Sequence, residues 1–274
     1  YDTLTLSLLP SEQADEIRMT CTLENAPEQT LACDESNIAV RCARAFFRES
    51  GAVLNGQSLS IHLTKRIPMM AGLGGGSADG AAVLAGLNAL LETGLSLERL
   101  EQIGLGCGAD IPFCLRGGTQ RAQGIGEEFT SLPPMPDTPI VIVKPHFGIS
   151  TRDAFSRCDT MPYPHAHPEQ MIAALHSGKI SAVADALQNV FESLCSAQEA
   201  EQLEQTRQLL LDAGALGALL SGSGSAVFGL FDCEQEARRC VSALTGHPLL
   251  EGVFLCRPVQ TGAYSQNNAQ VINH

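Results

Sequence analysis

Basic residues are scarce in this sequence. Its 274 residues contain 17 lysines and arginines against 30 aspartates and glutamates, which leaves a formal net charge of -13. A protein that binds nucleic acid through its phosphates needs a basic face, so this balance argues against a nucleic-acid partner. It does not exclude a nucleotide, because backbone N–H groups bind phosphate without any lysine.

Paired cysteines and long apolar runs are also missing. None of the ten cysteines falls in a C-x-x-C pair, and the tightest spacing is seven residues, between Cys107 and Cys114 and between Cys233 and Cys240. This spacing is poor for zinc and gives no disulfide framework, so reduced thiols in a cytoplasmic protein are expected. No apolar run is long enough to span a bilayer, and no membrane partner is expected.

The chain lacks an initiator methionine and the basic region and apolar run of a signal peptide. It opens with YDTLTLSLLP and is almost at once in a strand-like pattern. We therefore expect further residues upstream of Tyr1.

What is present is an ordinary globular composition, with 44% hydrophobic and 17% charged residues. Alternation or short apolar runs predict strands over Leu4–Leu9, Glu16–Leu23, Leu59–Leu63, Ile111–Leu115, Thr119–Gln123, Ile140–Lys144, Gly217–Leu220, Ser225–Phe231 and Gly252–Cys256. Helices are predicted over Asp34–Arg48, after the glycines near residue 76, over Leu95–Gly104, within Ser150–Ala213 and over Glu234–Leu244. Strict βαβ alternation is missing, which indicates an α+β protein in two lobes. The prolines between Leu132 and Pro139 favour a boundary that divides the chain into 1–135 and 136–274.

The stretch from Gly72 to Ser77 reads GLGGGS and runs into a helix of small residues. Its four glycines permit positive φ and close approach of a ligand, and the helix start offers unpaired N–H groups, so the stretch suits a polyphosphate. Ser77 is suited to cap the helix, and also to offer its hydroxyl to a metal or phosphate. A Walker A loop would need a lysine after the glycines, and a dinucleotide fingerprint would need glycine where Ser77 stands. A flexible hairpin, or a tight strand-to-helix turn, without a ligand is the alternative.

Two other segments are candidates for the same site. Gly222, Ser223 and Gly224 form a second glycine loop between apolar strands, either a wall of the site or an ordinary hairpin turn. Asp110 stands before the predicted strand from Ile111, where partial desolvation and a neighbouring hydroxyl would suit it to accept a proton in phosphoryl transfer. The alternative for Asp110 is a turn or helix cap.

These segments, in this order, resemble the motifs of the GHMP kinases. Pro68–Ala82 is similar to their P-x-x-x-G-L-G-[GS]-[GS]-S-[AS] phosphate motif, and the triple glycine before Ser-Ala-Asp is typical of the members that phosphorylate a diphosphocytidyl-methylerythritol. The other similar segments are Asp34–Ile38, Gly108–Phe113, Gly124–Glu127, Lys144–Phe155, Asn189–Glu192 and Ser221–Phe228, which together cover most of the chain.

The resemblance implies a two-lobed α+β fold, with a ribosomal protein S5 domain 2-like N-terminal lobe and a ferredoxin-like C-terminal lobe. It implies transfer of a phosphoryl group from ATP, with Mg²⁺ bridging the phosphates, to the 2-hydroxyl of a CDP-linked methylerythritol. That reaction belongs to the non-mevalonate route to isoprenoid (terpenoid) precursors. The resemblance indicates no oligomeric state.

The family also implies roles for single residues. Asp110 would be the general base, Phe155 would stack on cytosine with Thr151 nearby, and Gly222, Ser223 and Gly224 would line the cavity near the sugar alcohol. Asn189 and Glu192 are taken as structural. The residues implied for ATP are Asn37, Pro68, Met69, Met70, Ala71, Gly72, Leu73, Gly74, Gly75, Gly76, Ser77 and Ala78.

The sequence departs from the family at its start, where neither P-A-K-[IL]-N nor R-x-D-G-Y-H is present. In the family a lysine in the first motif assists the base, and the tyrosine and histidine of the second read cytosine. We therefore expect this chain to keep ATP binding better than phosphoryl transfer. The alternatives are another GHMP kinase, of the homoserine or mevalonate type, and a nucleotide-binding chain without catalysis.

Overall fold

A computed structural model of the chain describes residues 1–10, 16–25, 28–164 and 166–265. Contacts within it define two compact units. Unit 1 comprises 1–68, 74–131 and the described residues from Val259 onward, and unit 2 comprises 69–73 and 132–258. The segment Met69–Leu73 therefore belongs to unit 2, although the chain on both sides of it belongs to unit 1.

Unit 1 is built on a mixed sheet covered by helices. Its elements are β1 (Thr3–Pro10), β2 (Ile17–Leu23), α1 (Ile38–Ser50), β3 (Gln57–Lys65), α2 (Gly75–Leu90), α3 (Leu97–Leu105), α4 (Ile111–Arg116), β4 (Gln120–Gln123) and β5 (Glu128–Ser131). The described strands of the main sheet have the order β1-β3-β2, with β3 antiparallel to β1 and parallel to β2. A hairpin of β4 and β5 stands apart from this sheet.

The core of unit 1 follows from the alternation in β3. Leu59, Ile61 and Leu63 lie on one face of the strand and are buried against the helices. Phe46 of α1 and Leu84 of α2 are fully buried in the same cluster. Side chains of this size each contribute about 1.5–3 kcal/mol when fully buried, so this face anchors the helix that follows the glycine loop.

Unit 2 is built on an antiparallel sheet of the order β7-β8-β6-β9. Its elements are β6 (Ile140–Pro145), α5 (Thr151–Thr160), α6 (Pro168–Ser177), α7 (Ile180–Asp185), a 3₁₀ helix (Val190–Leu194), α8 (Ala197–Asp212), β7 (Gly217–Leu220), β8 (Val227–Leu230), α9 (Glu234–Leu244) and β9 (Leu250–Cys256). Val141 and Val143 of β6 pack with Leu210 of α8 and Phe231 in its core.

Two charged side chains fix the ends of elements in unit 2. Lys144 Nζ donates to the carbonyl oxygens of Pro145 and Phe147, both at 2.7 Å, which holds the turn that leads to α5. Arg157 of α5 makes a bidentate ion pair with Glu199, at 2.6 and 3.1 Å. The Arg157 guanidinium and the N–H of Ser196 hold the pKa of Glu199 down at about 2.

The last described segment returns to unit 1 and pairs with the end of α4. The N–H of Ala263 donates to the Cys114 carbonyl at 2.8 Å, and that of Tyr264 donates to the Leu115 carbonyl at 3.2 Å. A Cβ on Gly262 would stand 2.2 Å from the Leu115 carbonyl oxygen, so only glycine allows this approach. Residues about 150 positions apart in sequence are thereby joined.

Most of the predicted elements are confirmed, with shifts of a few residues at their ends. The predicted strand over Ile111–Leu115 is wrong, because these residues form the helix α4, with Pro112 in its first turn. The helix predicted from Asp34 begins at Ile38 instead, because Asn37 caps it. β5 was not predicted. The α+β class is confirmed, whereas the division into 1–135 and 136–274 stays a prediction.

Candidate functional site

Every second residue of the glycine-rich loop, from Met70 to Gly74, has a positive φ angle. Met70, Gly72 and Gly74 have φ angles of +52°, +69° and +64°, in the left-handed region that favours glycine. Met70 is the exception to that preference, and 60% of its surface is exposed. A non-glycine residue held in this conformation is a strained feature of the kind that clusters at binding sites.

The helix α2 begins inside the run of glycines. Gly74 is its N-cap, and the carbonyl of Gly74 accepts the first helical hydrogen bond from the N–H of Ala78 at 2.9 Å. The N–H groups of Gly75, Gly76 and Ser77 have no acceptor within the helix, because they belong to its first turn. The expectation that Ser77 caps the helix is wrong: the helix starts two residues earlier, which places Ser77 within the first turn.

Within unit 2, the segment Met69–Leu73 lies against the second glycine loop. The N–H of Ala226 donates to the Ala71 carbonyl at 3.0 Å, and the Ser221 hydroxyl donates to the Gly72 carbonyl at 3.0 Å. A Cβ on Gly72 would stand 2.0 Å from the Ser221 carbonyl oxygen and 2.6 Å from the Gly224 nitrogen. The two loops that the sequence places about 150 residues apart are therefore neighbours.

The side chain of Asn189 holds the second glycine loop through hydrogen bonds to its backbone. Its amide nitrogen donates to the carbonyl oxygens of Leu220 and Gly222, at 2.9 and 2.8 Å. Its amide oxygen accepts from the N–H of Phe191 at 3.0 Å. Glu192 accepts from the N–H of Leu220 at 3.1 Å. These contacts agree with the structural roles expected for both side chains.

Thr151 and Phe155 project from α5 on the surface of unit 2. The Thr151 and Ser223 hydroxyl oxygens are 3.2 Å apart, which joins the start of α5 to the second glycine loop. Phe155 is 56% exposed, so it is not a core residue. Its ring meets that of Phe191 edge to face, with centroids 5.1 Å apart. More than half of the surface of Phe155 is thus available to a ligand.

Asp110 is the N-cap residue of α4 by position, but its side chain makes no capping hydrogen bond. The carboxylate is exposed, which contradicts the expectation of partial desolvation. The reason is that α4, rather than a buried strand, follows it. Its role as general base stays a prediction, and the alternative of a side-chain cap is wrong.

Asn37 is buried and acts as a cap. Its amide oxygen accepts from the N–H of Ala39 at 2.9 Å, and its amide nitrogen donates to the Ala32 carbonyl at 2.6 Å. Both ends of the amide are thus engaged in fixing the start of α1. The predicted position of Asn37 near adenine or ribose stays a prediction.

A buried charge cluster in unit 1 was missed by the sequence analysis. Lys65, at the end of β3, donates to Asp79 of α2 at 2.9 Å and to Asp2 at the start of β1. The side chains of Lys65, Asp79 and Asp2 are 6%, 5% and 3% exposed. Asp79 and Ala78 line a groove of about 760 Å³ in unit 1, together with Asp2.

Two signals in the sequence point to this cluster. Lys65 continues the alternation of Leu59, Ile61 and Leu63, so it falls on the buried face of β3. Asp79 precedes Val83 and Leu87 at helical spacing, so it falls on the buried stripe of α2. A charge in a buried register predicts a buried ion pair.

No helix among the described residues combines the length and apolar character needed to cross a membrane. In the same parts of the chain, no group of three or more histidine, cysteine, aspartate or glutamate side chains is arranged to hold a metal ion.

Comparison with known proteins identifies two matching family models. The model described as the GHMP kinases N terminal domain matches residues 37–118, and that described as GHMP kinases C terminal matches residues 171–248.

Curated relatives match most of the chain. It is 36% identical over 240 residues to the 4-diphosphocytidyl-2-C-methyl-D-erythritol kinase of Clostridium acetobutylicum, which covers 87% of this chain and 81% of the relative. It is 40% identical over 234 residues to the enzyme of the same name from Carboxydothermus hydrogenoformans, covering 85% and 79%.

Solved structures share the fold. A crystal structure of a 4-(cytidine 5'-diphospho)-2C-methyl-D-erythritol kinase aligns with a TM-score of 0.73 and 28% identity, covering 95% of this chain and 87% of that one. A homoserine kinase from Cytophaga hutchinsonii aligns with a TM-score of 0.73 at 23% identity, covering 95% and 87%, and shows a shared fold alone.

Proposed function

Because this chain belongs to the GHMP kinase family, within the 4-diphosphocytidyl-2-C-methyl-D-erythritol kinases, we propose that it transfers a phosphoryl group from ATP to the 2-hydroxyl of that CDP-linked methylerythritol. The reaction supplies an isoprenoid precursor in the non-mevalonate pathway, and we place it in the cytoplasm. The observation that carries the proposal is the glycine loop that ends in the open first turn of α2.

The first turn of α2 would bind the ATP phosphates. The N–H groups of Gly75, Gly76 and Ser77 and the positive end of the helix dipole favour an anion there. Gly72 and Gly74 give the preceding backbone its left-handed turns, and Met70 and Ala71 are held by hydrogen bonds from residues 225 and 226. Preorganised amides of this kind stabilise charge that develops on a transferring phosphoryl group.

In unit 2, Phe155 and Thr151 would contact the substrate. The exposed Phe155 ring supports stacking on cytosine, because every base has a face that stacks on an aromatic ring. Gly222, Ser223 and Gly224 would line the path of the sugar alcohol, with Ser223 oriented by Thr151. Asp110 of unit 1 would accept the proton of the attacking hydroxyl.

Mg²⁺ would accompany the nucleotide. Magnesium commonly keeps several waters and binds through substrate phosphates and one or two protein oxygens, so it needs no dedicated cluster of side chains. The described residues offer no such cluster, and we assign no protein ligand to the metal. Bound to ATP, Mg²⁺ would neutralise charge on the phosphates.

Replacing Asp110 with asparagine tests the assignment of the base. We expect turnover to fall by roughly 10²- to 10⁴-fold, the usual contribution of a positioned general base. The affinity for ATP should stay within about twofold, because the phosphate-binding turn is untouched. Steady-state kinetics and nucleotide titration on the full chain measure both.

Asp185→Asn is the matched control, because Asp185 is an exposed aspartate at the end of α7 in unit 2. Its turnover should equal that of the wild type. Near-normal turnover of Asp110→Asn would exclude Asp110 as the base. Phosphorylation of homoserine or mevalonate in preference to the CDP-linked alcohol would instead overturn the proposed identity of the substrate.

A further inference from the structure

The buried cluster of Lys65, Asp79 and Asp2 lies against the first turn of α2. Lys65 Nζ donates to Asp79 at 2.9 Å and also to Asp2. A Cβ on Gly75 would stand only 2.9 Å from the same nitrogen. The ammonium group therefore packs directly on the first residue of the helix, where a larger side chain would displace it.

The two carboxylates of the cluster are not equivalent. Both carboxylate oxygens of Asp2 accept hydrogen bonds. Its Oδ1 accepts from the N–H groups of Arg66 and Ile67, at 2.6 and 2.8 Å, and its Oδ2 accepts from Lys65. Asp79 accepts from Lys65 through Oδ2, but its buried Oδ1 has no partner among the described residues. A proton on Oδ1 would cost the cluster no hydrogen bond, so Asp79 is the member best placed to change its charge.

The pKa values support this distinction. Burial raises the pKa of Asp79 to about 7, against the opposing effect of the Lys65 ammonium, and the neighbouring Asp2 carboxylate raises it further. Burial also raises the pKa of Asp2, but Lys65 and the N–H groups of Ile67 and Arg66 outweigh it, so that pKa lies below the usual value. With both carboxylates ionised, the cluster carries one net negative charge beneath the turn proposed to bind phosphates.

We infer that Asp79 is a positioning residue for this turn, which holds the Lys65 ammonium against Gly75 and takes up a proton when nucleotide phosphates bind. The inference rests on the proposed function, because it takes nucleotide phosphates as the ligand. The proton comes from solvent and is retained on Asp79 Oδ1. The cluster then becomes neutral, and the like-charge repulsion between it and the phosphates disappears.

Other titratable groups lie around this region, and the buried thiols among them stay neutral near pH 7. Burial raises the pKa of Cys114, on α4, to about 12. It also raises that of Cys21, on β2. The pKa of Cys42, on α1, is raised first by its hydrogen bond with Cys107 and then by burial. On α3, Glu101 and Glu98 raise the pKa of Arg116, which lies at the end of α4.

Cys107 is the group that needs a control. It lies in the loop between α3 and α4, and its hydrogen bond with Cys42 lowers its pKa to about 7. Its titration would overlap that of Asp79. A Cys107→Ser variant removes this contribution, and it should leave the proton uptake on nucleotide binding unchanged.

The experiment measures protons directly, by isothermal titration of the full chain with magnesium–ADP at pH 7 in two buffers of different ionisation enthalpy. We expect the wild type to take up a substantial fraction of one proton more than Asp79→Asn does. Protons that belong to the nucleotide cancel in this difference. For each unit by which bound phosphate raises the pKa of Asp79, the protein with Asp79 protonated binds the nucleotide about tenfold more tightly than the protein with Asp79 ionised.

A purely structural role for Asp79 gives a different result. It would lower the melting temperature of Asp79→Asn without changing the proton count. In the proposed role, the KM for ATP rises from pH 6 to pH 8 in the wild type and stays flat in Asp79→Asn.

Equal proton uptake by the wild type and Asp79→Asn would overturn the inference. If Asp79→Asn does not fold, the wild type and Cys107→Ser still decide, since absence of proton uptake in either would also overturn it. Failure of every variant to bind magnesium–ADP at any pH would overturn the proposed function, and this inference with it.

Discussion

A pair of glycine-to-alanine changes tests the contact between the two glycine loops of unit 2. Gly72 and Gly74 have nearly the same backbone conformation, with φ of +69° and +64°. Alanine at either position costs about 1–2 kcal/mol, because an L-residue is strained in the left-handed region. The two positions differ in their surroundings: a Cβ on Gly74 meets nothing within 4 Å, whereas one on Gly72 meets the Ser221 carbonyl oxygen at 2.0 Å.

Ordinary contact of a Cβ starts at about 3.4 Å, so Gly72→Ala forces the two loops apart by more than 1 Å. Such overpacking typically adds 1–3 kcal/mol to the backbone strain. We therefore expect Gly74→Ala to lose about 1–2 kcal/mol of unfolding free energy and Gly72→Ala about 2–5 kcal/mol. Urea denaturation followed by circular dichroism measures both values on the full chain.

The difference between the two variants is the informative quantity, because the backbone strain cancels in it. We also expect Gly72→Ala to weaken ATP binding, since the displaced loop leads directly into the phosphate-binding turn. Equal losses of stability in the two variants would refute the packing of Gly72 on Ser221, whatever their absolute size.

Two further predictions concern α5. Stacking on a base is worth about 1–3 kcal/mol, so Phe155→Ala should raise the KM for the CDP-linked substrate roughly 5- to 150-fold and leave the KM for ATP unchanged. Equal effects on both substrates would exclude stacking on cytosine. Glu199→Gln tests the ion pair with Arg157. The pKa of Glu199 lies at about 2 instead of 4.5. The pair therefore stabilises the fold fully above pH 4.5, and this stabilisation is lost as the pH falls toward 2. After screening we expect about 1–2 kcal/mol at pH 7, and acid titrations of wild type and variant that differ by the same amount at pH 2 as at pH 7 would contradict it.

The fold was predictable where a pattern was local and periodic. The alternation of Leu59, Ile61 and Leu63 predicts β3 and its buried face, and the structure confirms both. The error at Ile111–Leu115 arose because a short apolar run fits a buried strand as well as one turn of helix. Pro112 was the overlooked signal, since proline suits the first turn of a helix.

The candidate site was predictable in its parts but not in its assembly. The glycines from Gly72 to Gly76 predict a phosphate-binding turn because the chemistry is carried by consecutive residues. The cluster of Asp2, Lys65 and Asp79 joins residues up to 77 positions apart, and nothing local indicates which charges meet. Pairing of this kind depends on the sheet register, which the alternation alone leaves open.

The return of the last described segment to unit 1 has a consequence for how the chain folds as it leaves the ribosome. Ala263 and Tyr264 donate to the backbone of Cys114 and Leu115, and Tyr264 also reaches the Leu95 carbonyl. The contacts of unit 1 at α4 are therefore incomplete while residues 132–258 of unit 2 are being synthesised, at about 5–20 residues per second. Unit 2, whose residues from 132 to 258 emerge without interruption, can therefore complete its contacts before unit 1 does.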